Sequence, residues 1–289
     1  MTAPSFERWT NLSTKLSQRS VVRYTNPHTR FEWPDRAPPD RLAMSPGLSM
    51  LAGHPLLAEL SDEQRWRLHL QEAVHFFSLN IAGERELLTG LVQRLYKGAC
   101  ATVAEYMHHF VHEENAHSVV FSRFCMSYGG VVYPDPQIRF GRDPHPGEED
   151  ILFFARVLAF EQIADSYNRR LAGDDALWPL VRGINRYHAE DEARHIAFGK
   201  AALVALWERY ALAWPEEVRD RVRAHLRAFI DATLRSYVSA AVLRDAGVPG
   251  DPYALRREIL ALPERAALGR EATRRTCDFL SRLGALAPC

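Results

Sequence analysis

HAEDEARHIAFGK, the segment from His188 to Lys200, brings histidine and acidic side chains close together before it turns apolar. If this segment is a helix, with ~100° between successive residues, His188, Glu192 and His195 lie within about 60° of one another. The same face carries Val181 further upstream, so the three side chains point towards the expected core. A buried charge is costly unless it is paired or binds a metal. The segment therefore predicts a second set of ligand-type residues facing it.

The overall charge and the cysteines argue against several classes of protein. The 289 residues include 36 basic and 36 acidic side chains, so no net field favours nucleic acid or an anionic membrane. The four cysteines are scattered and form no CxxC pair, which argues against a disulfide scaffold or a zinc ribbon. No signal pattern opens the chain and no apolar run is long enough to span a membrane, so we expect a cytoplasmic protein.

The sequence predicts an all-α protein, because long amphipathic segments dominate after residue 60. Residues 1–60 are predicted to be an irregular N-terminal arm packed on a helical bundle, with one helix near residues 6–18. Residues 61–289 are predicted to be one domain, interrupted by a Gly/Pro-rich connection at about 127–150. Its helices are expected at about 61–96, 100–128, 148–172, 176–211, 215–246 and 264–284.

A second helical segment contains the same ligand types. In HEENAH, Glu114 and His117 repeat the E-x-x-H spacing of Glu192 and His195. Both residues lie in the middle of an otherwise apolar helical face, at successive spacings of four and three residues. That face consists of Val103, Met107, Phe110, Glu114, His117, Phe121 and Phe124.

Two further apolar faces each contain one glutamate, Glu84 and Glu161. Glu86 is the competing candidate in the first segment, but its own helical face is polar. Glu84 precedes Glu114 by 30 residues and Glu161 precedes Glu192 by 31, which suits two antiparallel helix pairs whose acids return to the same height. A glutamate from one helix of each pair and E-x-x-H from the other form the ligand plan of ferritin-like bundles with a di-metal carboxylate site.

The two halves differ by a third histidine. His188 stands one turn before Glu192, where Phe110 holds the matching place before Glu114. With H-x-x-x-E-x-x-H, the upstream E-x-x-H and a glutamate 27 residues before the first histidine, the sequence resembles the p-aminobenzoate N-oxygenases, the AurF-like di-iron arylamine oxygenases. The resemblance implies two iron ions, with manganese an alternative. The ligands that it implies are Glu84, Glu114, His117, Glu161, His188, Glu192 and His195.

The same resemblance implies a non-haem di-iron oxygenase that activates O2 and oxidises an amine. The expected reaction takes an aryl-NH2 group to hydroxylamine, nitroso or nitro in natural-product biosynthesis. The sequence shows no Gly-rich nucleotide-binding loop, so the electrons are expected from an external reductase or ferredoxin. A homodimer is also expected. A di-iron hydroxylase or desaturase acting on carbon is the alternative, and a ferritin-like ferroxidase or iron-binding protein is the second. A ribonucleotide reductase small subunit is disfavoured, because Phe121 stands where that family keeps its radical tyrosine.

Other residues are predicted to orient ligands or to contact a substrate. Acids that directly precede a ligand glutamate, here Glu113 and Asp191, commonly orient a ligand histidine. The interior is expected to be lined by Met107, Phe110, Phe121 and Phe154, which suits an aromatic or aliphatic substrate. In the last predicted helix, an inward-pointing arginine would be suited to anchor a substrate carboxylate. The candidates are Arg270, Arg274 and Arg275.

Overall fold

The computed structural model describes residues 4–134 and 145–287, and helices make up nearly all of its regular structure. The prediction of an all-α protein is confirmed: within these residues the only β-type pairing is an isolated bridge between Leu42 and Leu177. The α-helices are α1 Pro4–Val22, α2 Leu56–Glu59, α3 Asp62–Arg94, α4 Ala104–Phe124, α5 Glu148–Gly173, α6 Pro179–Tyr210, α7 Glu216–Ser236, α8 Ala240–Asp245, α9 Pro252–Ala261 and α10 Pro263–Leu283.

Four long helices, α3 to α6, form the bundle. Helix α3 packs on α4, and α5 packs on α6. Helix α3 begins at the predicted place, because the Ser61 hydroxyl accepts from the backbone N–H of Gln64 and the Gln64 side chain accepts from that of Ser61. Part of the predicted connection between the two pairs, residues 135–144, lies outside the described residues.

The prediction of one helix at 215–246 is wrong, because the helix is interrupted between the end of α7 and the start of α8. The Ser239 hydroxyl caps α8 by accepting from the backbone N–H of Val242, and such local capping competes with a continuous helix. The break also turns Tyr237 and Val238 into the core. Helix α9 was not predicted at all, although Asp251 followed by Pro252 is a start signal that the sequence contains.

The N-terminal segment contributes a full helix to the bundle. Helix α1 is longer than the one predicted near residues 6–18, and it packs on α4 and α6. Its Trp9 is fully buried, with ring centroids 6.2 Å from Phe154 and 5.5 Å from Phe198. Burying an indole of this size anchors α1 firmly against the bundle.

The apolar core falls into two clusters along the bundle. On α4, Phe110 belongs to one cluster and Phe121 to the other, and on α6 the same is true of Phe198 and Ile184. The charged residues predicted from the sequence occupy the layer between the two clusters. Among the described residues, no helix combines the length and apolar character needed to cross a membrane.

Candidate metal centre

The seven predicted ligands meet in the polar layer of the bundle. Helix α3 supplies one acid, α4 one acid and one histidine, α5 one acid, and α6 one acid and two histidines. None of the seven is more than 2 % exposed. The side chain of the competing candidate, Glu86, is 76 % exposed. The acid of α3 that faces the cluster is therefore Glu84. The residues brought together are Glu84, Glu114, His117, Glu161, His188, Glu192 and His195.

Glu192 lies at the middle of the cluster. Its Oε1 is 3.0 Å from His188 Nε2, 3.2 Å from His195 Nδ1 and 3.8 Å from His117 Nδ1. Three overlapping sets each have ligand atoms within 4.8 Å of one another, close enough for one ion to contact every atom of a set. They are Glu84, His117 and His188; Glu114, His117 and Glu192; and Glu161, His188 and Glu192.

Several buried atoms of this cluster lie close to another ligand atom but form no well-directed hydrogen bond. Leaving a buried polar atom unsatisfied costs about 1–3 kcal/mol, so a group of them at one place calls for cations. Mixed carboxylate and imidazole donors suit iron or manganese, and the residues therefore fit two such ions. The atoms concerned are Glu84 Oε1, both carboxylate oxygens of Glu114, His117 Nδ1, Glu161 Oε2, His188 Nε2 and Glu192 Oε2.

Two acids orient two of the histidines, each across the interface between α4 and α6. His117 Nε2 lies 3.0 Å from Asp191 Oδ2, and His195 Nε2 lies 2.8 Å from Glu113 Oε2. Each imidazole therefore turns its Nδ1 towards the cluster. The sequence predicted these acids as orienting residues, but it did not predict that each would hold the histidine of the opposite helix.

The third histidine is oriented by an amide. Asn168 Nδ2 lies 2.7 Å from His188 Nδ1. If His188 Nε2 is to bind a metal, Nδ1 must carry the proton, so the amide has to turn by 180° to bring its oxygen to that place as the acceptor. This arrangement also gives Asn168 Oδ1 the partner that it otherwise lacks. The role of Asn168 was missed, although it is a polar residue on an apolar stripe, seven residues after Glu161.

A hydroxyl on α4 completes the orientation of the acid from α3. The Ser118 hydroxyl donates to Glu84 Oε2 and leaves Glu84 Oε1 directed at the cluster. Ser118 was not predicted, since a serine next to a ligand histidine carries no distinctive signal. Its effect is to fix which oxygen of Glu84 faces the metals.

Burial and crowding shift the pKa values of the acids in opposite directions. Burial, with repulsion from Glu114, raises the pKa of Glu84 well above its usual range, and burial with repulsion from Glu192 and Glu114 does the same for Glu161. Burial also opposes the charge of Glu192, but His195 and His188 hold its pKa well below the usual range. Without a cation, the cluster thus retains protons on some carboxylates, and metal binding would release them.

The two oriented histidines have raised pKa values. Burial acts against the imidazolium of His117, but the hydrogen bond to Asp191 and the nearby negative charge of Glu114 raise its pKa well above 6.5. Burial likewise opposes the charge on His195, whose pKa is raised by Glu192 and Glu114. Both rings must lose a proton before Nδ1 can bind a metal, so metal affinity should rise with pH.

Aromatic rings close the cluster on two sides. The Phe110 ring stacks on His195 with centroids 3.9 Å apart, and the Phe121 ring meets His188 edge-on at 5.0 Å. The predicted lining residues Met107 and Phe154 are also buried. Such walls keep water from the cluster and would be compatible with an aromatic guest.

The three arginines predicted as carboxylate anchors do not reach the interior. All three are exposed, although Nη1 of Arg275 lies 3.9 Å from Oδ2 of the buried Asp165. The buried face of that helix is formed instead by residues such as Leu268, Ala272 and Thr276. The prediction of an inward-pointing arginine is therefore wrong for Arg270, Arg274 and Arg275.

A family model described as "P-aminobenzoate N-oxygenase AurF" matches residues 8–284. The chain belongs to the AurF family. The predicted family is thus confirmed, and the description of the family model is that of an oxygenase. The assignment of the seven individual ligands stays a prediction based on the geometry described above.

The chain is also similar to mycobacterial proteins that carry no functional name. The uncharacterized proteins Rv0885 of Mycobacterium tuberculosis and Mb0909 of Mycobacterium bovis are 25 % identical over 197 residues, covering 63 % of this chain. The match spans 57 % of the length of these relatives.

Among solved structures, an R2-like ligand-binding oxidase with a Mn/Fe cofactor shares 17 % identity and a TM-score of 0.46, over 93 % of this chain and 92 % of that one. A variant of an R2-like ligand-binding oxidase with the same cofactor gives 15 % and 0.48, over 93 % of each chain.

Proposed function

We propose that this protein is a di-iron N-oxygenase that uses O2 to oxidise an amine. The observation that carries the proposal is the enclosed cluster of four carboxylates and three imidazoles, with its ligand atoms left without hydrogen-bond partners. Membership of the AurF family supports oxidation at nitrogen rather than at carbon. The third histidine, His188, supports it further, because it is the feature on which the sequence resemblance to arylamine oxygenases depends.

The residues of the chain have separate tasks in this proposal. Glu84, Glu161 and the two E-x-x-H pairs would hold the metals together with His188. When bound, two iron ions supply the redox centre at which O2 is reduced. Phe110 and Phe121 exclude water from that centre, which protects an oxidising reaction from side reactions.

The overall reaction requires an electron donor. Conversion of R-NH2 to R-NHOH consumes one O2, two electrons and two protons, and one oxygen atom leaves as water. A reductase or ferredoxin is therefore proposed as the partner that delivers the two electrons. Further oxidation to nitroso and nitro would follow at the same site, with the product retained or rebound.

An aromatic amine is the proposed substrate class. Buried aromatic rings beside His188 and His195 offer stacking and edge contacts to such a ring. Because the arginines of α10 face outward, a carboxylate on the substrate would have to be recognised by other residues. We place the reaction in natural-product biosynthesis on the strength of the family resemblance.

A single-turnover experiment tests the proposal. The protein would be loaded with Fe(II) anaerobically, mixed with 18O2 and either an arylamine such as p-aminobenzoate or its methyl analogue, p-toluate. We expect 18O on nitrogen and no product from the methyl analogue. Hydroxylated carbon would move the protein to the carbon-oxidising alternative, and consumption of O2 with Fe(III) as the sole product would indicate a ferroxidase.

Matched variants make the result specific to the cluster. Glu114→Ala should abolish product formation, because both carboxylate oxygens of Glu114 point at the site. Glu86→Ala removes an exposed acid from α3 and should leave the yield unchanged. A homodimer in the cytoplasm stays a prediction, and light scattering would distinguish a dimer from the large shell of an iron-storage protein.

A further inference from the structure

One arginine joins the two acids that orient the ligand histidines. Arg194 Nη2 lies 2.6 Å from Glu113 Oε1 and 2.6 Å from Asp191 Oδ1. The other oxygen of each acid accepts from a histidine, His195 or His117. The result is a continuous chain of hydrogen bonds from one ligand imidazole to the other, with Arg194 at its centre.

The guanidinium is needed because the two carboxylates are held close together with little solvent. Arg194 is 5 % exposed, and the side chains of Glu113 and Asp191 are each 10 % exposed. Two like charges that share one donor atom would repel each other if that donor were removed. An unpaired buried carboxylate would then turn towards another donor and carry its histidine with it.

A cavity reaches these acids from outside. It has a volume of about 290 Å³, and both Glu113 and Asp191 line it, together with Tyr24, His112 and Tyr187. Solvent that enters this cavity would offer the carboxylates alternative hydrogen bonds. Arg194 is buried and donates from Nη2 to both carboxylates. Its guanidinium therefore competes with solvent for these acceptors.

The two halves of the site share this one residue. Arg194 directly precedes His195, whereas the matching place before His117 is held by Ala116. Each of the two helices supplies one acid and one histidine to these pairs, but only α6 supplies a guanidinium that binds both acids. A change at Arg194 should affect a ligand on each helix, whereas a change at either acid should affect one.

We propose that Arg194 is a positioning residue that fixes His117 and His195 at the same time and so sets the affinity and coordination of both metals. The inference rests on the metal centre of the proposed function, but it is independent of whether the substrate is oxidised at nitrogen or at carbon. It concerns ligand geometry, so it can be tested without O2 and without any substrate.

The test is anaerobic titration of the full chain with Fe(II), followed by X-ray absorption at the iron edge. Loss of a residue that orients metal ligands typically weakens metal binding about 10- to 100-fold. We expect Arg194→Met to fall in that range and to reduce the imidazole contribution to the iron shell. Arg194→Lys should recover part of the affinity, because its ammonium keeps a positive donor near both acids. Arg186→Met is the matched control, since it removes an exposed arginine from the same helix.

A double substitution separates positioning from a structural role. In a background with Glu113→Gln and Asp191→Asn, Arg194→Met should cause little further loss, because the arginine acts through those acids. Should Arg194→Met fail to fold, Arg194→Gln takes its place. Wild-type iron affinity and an unchanged iron shell in the folded variant would overturn the proposal, as would a full additional loss in the double background. Failure of the amine assay alone would leave these results untouched.

Discussion

Glu161→Leu should make the metal-free protein more stable while it removes metal-dependent stabilisation. Glu161 is 2 % exposed, and its Oε2 has no hydrogen-bond partner. Burial and the neighbouring Glu192 and Glu114 raise its pKa, so the folded protein holds this carboxyl in an unfavourable site. Leucine has a similar volume and needs no partner.

The size of the gain follows from the unsatisfied atom. Removing one such buried group should gain about 1–3 kcal/mol. At roughly 2 °C per kcal/mol for a domain of this size, the melting temperature of the metal-free variant should rise by about 2–6 °C. With Fe(II) at 100 times its dissociation constant, the wild type should gain about 2.7 kcal/mol for each site filled, and the variant should gain less.

The assay is anaerobic calorimetry or denaturant unfolding, with and without Fe(II). Glu86→Leu is the matched control, because it removes an exposed acid from α3. It should change neither the stability of the metal-free protein nor the stabilisation by Fe(II) by much. A metal-free Glu161→Leu protein that is less stable than the wild type would refute the reasoning about an unsatisfied acid. Equal stabilisation of variant and wild type by Fe(II) would refute the placement of Glu161 in the metal site.

Three further predictions concern other residues. His188→Ala should retain some iron but change its absorption spectrum, since one neutral donor is lost; an unchanged spectrum would exclude His188 from the site. Burial lowers the pKa of His75 from 6.5 to about 4, so the folded chain keeps this ring neutral while the unfolded chain takes up a proton, and stability is lost as pH falls from 6.5 towards 4. That loss is about 3 kcal/mol, and His75→Phe should remove most of it in denaturant unfolding at pH 4.5 and 7. Gly90→Ala should destabilise by about 1–3 kcal/mol, because its Cβ would lie 2.0 Å from the Phe153 ring, whereas Gly173→Ala meets nothing and should be nearly neutral.

The inward placement of the predicted ligands could be read from the sequence because helical periodicity is a local property. Glu84, Glu114 and Glu161 each interrupt an apolar stripe, so their inward direction follows from the spacing of their own helix. Glu86 could be distinguished from Glu84 for the same reason, because its own helical face is polar. The fold class could be predicted because two matched helix pairs leave few ways to bring four acids together.

Contacts between helices could not be read in the same way. The pairing of Glu113 with His195, and of Asp191 with His117, depends on how α4 and α6 lie against each other. The position of Arg194 between those acids depends on the same packing. The direction of the α10 arginines was also undetermined, since an amphipathic helix does not say which polar residue will lie at the edge of the buried face.

The break at Tyr237 shows a third kind of difference. Its neighbours favour helix, and only the burial of Tyr237 and Val238 in the core, with Ser239 as a cap, ends α7 there. Tertiary packing thus outweighed local propensity. For α9, by contrast, the sequence itself contains a local start signal in Asp251 and Pro252.

An anomalous diffraction map at the iron edge, from crystals of the protein loaded anaerobically with Fe(II), would show directly whether the buried cluster binds two metal ions. We expect two peaks per chain, about 3.5–4 Å apart, in the layer between Phe110 and Phe121. Glu192 and Glu114 should lie beside the peaks, with His117, His188 and His195 each binding through the nitrogen that faces the cluster. A single peak, no peak, or iron bound elsewhere on the chain would contradict this expectation.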